Sequence, residues 1–82
     1  MNEFVVYILR SSKFEKIYIG YTSKLIQRFY SHNFFGKKGY SINYRPWKVI
    51  HVEFFDNKKD AMKREKLLKS GVGRKWIYTE LL

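Results

Sequence analysis

Cysteine is absent from these 82 residues, which excludes disulfide bonds and thiolate zinc sites as supports for the fold. No apolar run comes near the ~20 residues that a membrane-spanning helix needs. The amino terminus lacks a basic-then-apolar segment followed by small residues, so no secretory leader is expected and a cytoplasmic protein is. Acidic residues are scarce: seven Asp and Glu face seventeen Lys and Arg, giving a net charge of +10. That excess calls for a polyanionic partner, with nucleic acid the commonest. A membrane surface is the rival. The basic residues, however, are spread over several predicted elements and form no single amphipathic helix, so no membrane contact is expected. Aromatic residues, by contrast, are plentiful at 20%. Most must fill the modest core of one domain, residues 1–82, and a few exposed rings remain to stack on bases.

The chain is organised around its first two predicted strands. Phe4-Val5-Val6-Tyr7-Ile8-Leu9 is a continuous apolar, β-branched run, the pattern of a strand covered on both faces. Ser11-Ser12-Lys13 has turn chemistry, and Ile17-Tyr18-Ile19-Gly20-Tyr21 resumes the strand pattern. A turn near Ser12 and Lys13 sets Tyr7 opposite Tyr18, so that two phenols project from one face. Gly20, without a Cβ, would allow a close approach just beyond them.

After Gly20 the period changes to about 3.6. Thr22 or Ser23 can cap a helix over residues 24–34, ended by Gly36, with Leu25, Ile26, Phe29 and Asn33 on one face. Arg28 and His32, four apart, stack at the border of that face. Residues 36–45 are a basic loop, expected to lie close to a phosphate backbone or to be an ordinary solvated connection. Pro46 opens a third strand, residues 47–55, in which Ile50, Val52 and Phe54 alternate with His51 and Glu53. Asp56-Asn57 supplies a turn and cap for a second helix, residues 58–69. On that helix Ala61, Glu65 and Leu68 share a stripe, with Met62 and Leu67 at its sides. An inward carboxylate costs several kcal/mol unless paired, so Glu65 needs an arginine, another cation or a metal. Glu53 is the competing acidic candidate for metal. Ser70-Gly71 ends the helix, and residues 72–82 read as a third, with Val72, Trp76 and Ile77 against the sheet. The expected fold is α+β: a three-stranded antiparallel sheet flanked by helices in the order β-β-α-β-α-α.

Taken together, Tyr7, Tyr18, Arg28, His32 and Glu65 suit phosphodiester cleavage. A carboxylate can hold a divalent cation, an arginine fork can bind two phosphate oxygens, and a phenol or imidazole can take a proton from water. The pattern resembles the GIY-YIG nuclease family over nearly the whole chain. The family's first motif stands here as Val5-Val6-Tyr7 and its second, Tyr18-Ile19-Gly20, is intact. Arg28 and His32 in LIQRFYSHN match its first-helix pair, and Glu65 in AMKREKLLK matches its metal-binding glutamate. The phrasing is that of small stand-alone members related to the incision domain of the excinuclease C subunit.

The resemblance implies hydrolysis of nucleic-acid phosphodiesters with a single Mg²⁺ or Mn²⁺, in repair or processing of damaged or branched DNA. It implies Tyr7 as leading general base, with Tyr18 positioning water or phosphate or sharing that role. Arg28 would bind the scissile phosphate, His32 would assist proton movement or phosphate binding, and Glu65 would be the protein ligand of the metal. Gly20, Lys24, Lys37, Lys38 and Arg45 are the expected nucleic-acid contacts. The sequence departs from the pattern at Val5, in place of glycine, and at Tyr21, where some members carry a lysine; Lys24 or a loop lysine would then supply that charge. Many members are fused to a separate DNA-binding domain, so a protein partner supplying the target is expected here. DNA is the expected substrate, with RNA as the other polyanion. The alternative function is a non-catalytic, basic nucleic-acid-binding module on the same fold. If Tyr7 is the base, cleavage should rise between neutral and mildly alkaline pH; if His32 is, the rise should centre nearer pH 6.5.

Overall fold

The apolar run from Phe4 to Leu9 forms most of β1, Phe4–Ser11, and the computed structural model, which describes residues 3–30, 32 and 43–82, places it in the middle of the sheet. β2, Ile17–Thr22, and β3, Trp47–Phe55, flank it, both antiparallel, in the order β2-β1-β3. A strand with neighbours on both edges and cover on both faces must be apolar throughout, and Val5, Val6, Tyr7, Ile8 and Leu9 are all buried. Among the described residues three helices complete the expected β-β-α-β-α-α order: α1, Leu25–Tyr30; α2, Lys58–Lys69; and α3, Gly71–Glu80. No described helix is long and apolar enough to cross a membrane. The expected end of the first helix at Gly36, its face residue Asn33 and the greater part of the basic loop lie outside the described residues.

The hairpin differs from expectation in its register. Tyr7 pairs with Gly20, and Tyr18 with Leu9. The turn is the cause. Ser11 N–H donates to the Lys16 carbonyl at 3.0 Å, while Ser11 Oγ accepts from the N–H groups of Lys13 and Phe14 at 3.3 and 3.0 Å. The loop therefore closes farther along than a turn centred on Ser12 and Lys13 would. A displacement of two residues preserves the face, because side chains alternate with period two. Tyr7 and Tyr18 thus remain on one side as diagonal neighbours, their rings stacked at 6.2 Å between centroids.

Each face of the sheet has its own core. On one, Val6, Ile8 and Ile19 pack with Ala61 and Leu68 of α2 and Ile77 of α3. On the other, Tyr7, Leu9 and Trp47 are joined by Tyr18, Val52 and the α1 residues Leu25 and Phe29. Two apolar residues expected to face inward, Ile26 and Val72, instead lie at the surface. Ile26 and Val72 are strongly exposed, and Met62 and Leu67 are nearly half exposed, because Ala61 and Leu68 alone fill the contact stripe of α2. β3 carries a bulge: Ile8 pairs with His51 but Leu9 with Val49, leaving Ile50 as the extra residue.

Two polar residues of β3, His51 and Glu53, face the helices and are partly covered by them. Glu53 accepts from Arg64 of α2 through both oxygens, Nε to Oε1 at 2.8 Å and Nη2 to Oε2 at 3.0 Å, and His51 Nε2 lies 2.8 Å from Oε2. Trp76 of α3 covers the group, with the His51 ring edge-on at 5.4 Å and the Arg64 guanidinium 5.6 Å from its centroid. These hydrogen bonds outweigh the partial burial and hold the Glu53 carboxyl below its ordinary pKa.

Two caps set the helix boundaries. Asn57 Oδ1 accepts from Asp60 N–H at 2.9 Å to begin α2, and Ser70 both ends α2 and caps α3, its Oγ accepting from Gly73 N–H. Gly73 lets the two helices meet closely. A Cβ there would lie 2.2 Å from the Leu67 carbonyl oxygen and 2.4 Å from Leu68 Cα.

Candidate functional site

β2 is an edge of the sheet, and a cleft of about 500 Å³ follows it between α1 and α2. Tyr7, Tyr18, Gly20, Arg28 and Glu65 all line it, so five of the sequence-predicted site residues come together from four elements. They approach from two sides. Tyr7 and Tyr18 stand on the face covered by α1, whereas α2 packs on the opposite face and presents Glu65 around the β2 edge. Arg28, Lys58 and Lys69 set three positive charges in the lining against the Glu65 carboxylate, which makes the cleft attractive to an anion.

Gly20 explains how Tyr7 reaches the edge at all. The Tyr7 phenol lies directly over it: a Cβ at position 20 would be 2.6 Å from Tyr7 Oη and 2.8 Å from Cζ. The close approach expected at this glycine is therefore made by the protein's own tyrosine. Beyond it, Tyr7 Oη lies 3.0 Å from His32 Nε2, and both residues are buried. The Tyr18 and His32 rings meet at 4.4 Å, and Tyr18 rests edge-on against Trp47 at 6.3 Å.

Burial dominates the proton chemistry of this pair. It pushes the Tyr7 phenol well above its ordinary pKa; the neighbouring Tyr18 and Glu65 add to the rise, and Arg28 opposes it. In the free chain, desolvation thus outweighs the Arg28 guanidinium, whose positive charge favours the phenolate. Burial also lowers the His32 pKa, helped by the positive charges of Arg28 and Arg45. A neutral imidazole offers one acceptor nitrogen, and the tautomer protonated at Nδ1 lets Nε2 accept the Tyr7 hydrogen.

Glu65 is partly buried, its side chain 20% exposed, and an ammonium group already compensates it. Lys69, one turn on, donates to Oε1 at 3.1 Å. Among the described residues no three His, Cys, Asp or Glu side chains gather into a metal cage. One carboxylate at the mouth of a basic cleft nevertheless fits a Mg²⁺- or Mn²⁺-sized ion, which keeps several waters and takes substrate oxygens as ligands. Glu53 does not fit that role, since Arg64 and His51 engage both its oxygens and it sits on β3, the far edge of the sheet.

The expected nucleic-acid contacts divide. Gly20 lines the cleft, and Lys24 is exposed at the start of α1, its N–H bound to Thr22 Oγ1 at 3.0 Å. Arg45 is half-buried and donates through Nε to the His32 carbonyl, which fixes that residue's backbone. Lys37 and Lys38 lie outside the described residues. Sequence reasoning missed Lys58 and Lys69, although both fall on the stripe of Glu65, seven residues before it and four after.

A family model described as the GIY-YIG catalytic domain matches residues 3–78. Among curated proteins, a UPF0213 protein of Clostridium perfringens is 39% identical over 64 residues, covering 78% of this chain and 68% of that one. A UPF0213 protein of Pediococcus pentosaceus is 41% identical, over 79% and 67% of the two chains. The UPF0213 protein YsiG of Lactococcus lactis is 37% identical, over 92% and 71%. No solved structure matches.

Proposed function

The chain belongs to the GIY-YIG nuclease family, and from that premise we propose that it is a metal-dependent endonuclease hydrolysing phosphodiester bonds in DNA, in repair or processing of damaged or branched molecules. The observation that carries this reading is the convergence of Tyr7, Tyr18, Arg28 and Glu65 on one basic cleft, with His32 hydrogen-bonded to Tyr7. Arg28, exposed on α1, binds the scissile phosphate and stabilises the charge that develops on it. Tyr7 takes a proton from the attacking water and passes its own to neutral His32, so a free phenolate never has to accumulate. Tyr18, more open than Tyr7, orients the water or the phosphate. Glu65 would hold the cation, which when bound would supply neutralising charge for phosphate oxygens and Lewis acidity toward the leaving oxygen. Lys69, now paired with Glu65, would then be available to the phosphate backbone.

The test is incubation of the purified protein with plasmid, gapped and branched DNA in Mg²⁺ or Mn²⁺, beside Glu65→Ala. Cutting by the wild type alone supports the reading. Equal cutting by Glu65→Ala would move the metal elsewhere. One observation favours a second reading, a non-catalytic nucleic-acid-binding module: in the free chain Lys69 neutralises Glu65, and Tyr7 is only 2% exposed. Tight DNA binding with no cutting in either metal would establish it.

A further inference from the structure

A second cleft, of about 360 Å³, continues the first along β2 toward α3, the two sharing Tyr18, Ile19 and Lys69. Its remaining charged lining is Lys16, Arg74 and Glu15, so with Lys69 it holds three cations against one carboxylate. Tyr78 of α3 adds an aromatic residue that is 53% exposed. We propose that this cleft is the subsite for an unpaired nucleic-acid segment flanking the scissile phosphate, an inference that rests on the nuclease reading and narrows its substrate to molecules with a single-stranded arm.

Three features point to a single strand. The cleft leads directly out of the site that holds the reacting phosphate, with Lys69 at the junction, so a chain bound in one must run through the other or leave the surface. Arg74 is pre-oriented: its Nε donates to the Lys69 carbonyl at 3.3 Å, leaving the Nη edge of the fork for phosphate oxygens. The half-exposed Tyr78 can engage only a base whose π-face is free, and a base inside a duplex has none to offer.

The test is fluorescence anisotropy without divalent metal, so that binding is read apart from cutting. Its probes are a blunt duplex, the same duplex with a single-stranded extension, and an extension with abasic positions. Wild-type protein should prefer the extended duplex. Arg74→Ala should weaken binding of that probe about five- to tenfold and flatten its salt dependence by roughly one ion. Tyr78→Ala should lose about fivefold or more on the extended duplex but little on the abasic one, and Tyr78→Phe should restore the loss. Both side chains are exposed, so folding is not at stake. If both alanine variants bind as the wild type does, the subsite is refuted while the proposed activity stands. A wild type that binds none of the probes refutes both.

Discussion

Gly20→Ala tests the geometry of the site with a single methyl group. No left-handed backbone is needed at Gly20, so alanine meets no backbone strain there. Its Cβ would, however, sit 2.6 Å from Tyr7 Oη, 2.8 Å from Tyr7 Cζ and 3.1 Å from Tyr18 Cε1, where ordinary contact begins at 3.4 Å. The phenol must therefore retreat by about 0.8 Å, or β2 must bow outward, and Tyr7 is buried with little room to move. Overpacking of this kind costs about 1–3 kcal/mol of stability. A retreat of that size also pulls at the 3.0 Å bond to His32, and misplacement of a catalytic group by about 1 Å costs on the order of 10²-fold in rate. Urea unfolding and single-turnover cleavage measure the two losses separately. The double variant Gly20→Ala with Tyr7→Phe removes the oxygen that makes the worst contact and leaves the ring. It should recover about 1 kcal/mol relative to additivity, with no return of cleavage. Wild-type stability and rate in Gly20→Ala, or strict additivity in the double variant, would refute the account of Gly20 as the seat of Tyr7.

Neutral His32 should make the rate depend on pH differently from either profile expected at the outset. Activity should climb as pH rises through a value below 6.5, where the imidazole loses its proton, and should level off above it. A rise that continues from pH 7 to 9 would exclude His32 as proton acceptor. Lys69→Met should tighten Mn²⁺ binding to the nucleic-acid-free protein by roughly two- to fivefold in calorimetry, because a competing cation leaves Glu65; unchanged or weaker binding would show that the pair does not matter. Glu53→Gln should cost about 1–2 kcal/mol in urea unfolding by weakening the Arg64 fork. The Glu53 carboxyl is held below its ordinary pKa, so its contribution is present above pH 4.5 and lost as pH falls through the folded value. The variant's stability should accordingly vary less with pH on the acid side, and an unchanged acid-side slope would count against the ion pair.

Local signals carried well. The β-branched run of β1, the cap at Asn57 and the bounds of β3 and α2 were all legible, since each depends on residues within a turn or a strand of one another. Tyr7, Tyr18, Arg28 and Glu65 were legible for another reason: they stand in the order of the family's motifs, and the cleft brings them together. The hairpin register was not, because it is settled by Ser11 Oγ and N–H gripping the turn, a detail of side-chain bonding. Nor was the fate of His51 and Glu53. Alternation put them on one face and left Glu53 as a candidate for metal, but their partners Arg64 and Trp76 come from helices farther along the chain. Val72 and Ile26 were misplaced by the same limitation, since hydrophobicity shows which residues can be buried and not how many the sheet can cover.

Arg64 and Glu65 are adjacent on α2, about 100° apart around its axis. One is clamped by two hydrogen bonds to the β3 edge, and the other opens into the cleft at the β2 edge. The helix thus behaves as a crankshaft laid across the sheet, with its rotation fixed at one end of the stroke and used at the other. A carboxylate carried about 6 Å from a helix axis swings about 1 Å for each 10° of roll. The angular position of the carboxylate is therefore decided by Glu53, on the opposite margin of the molecule, and substitutions there should reach the cleft as a change in aim.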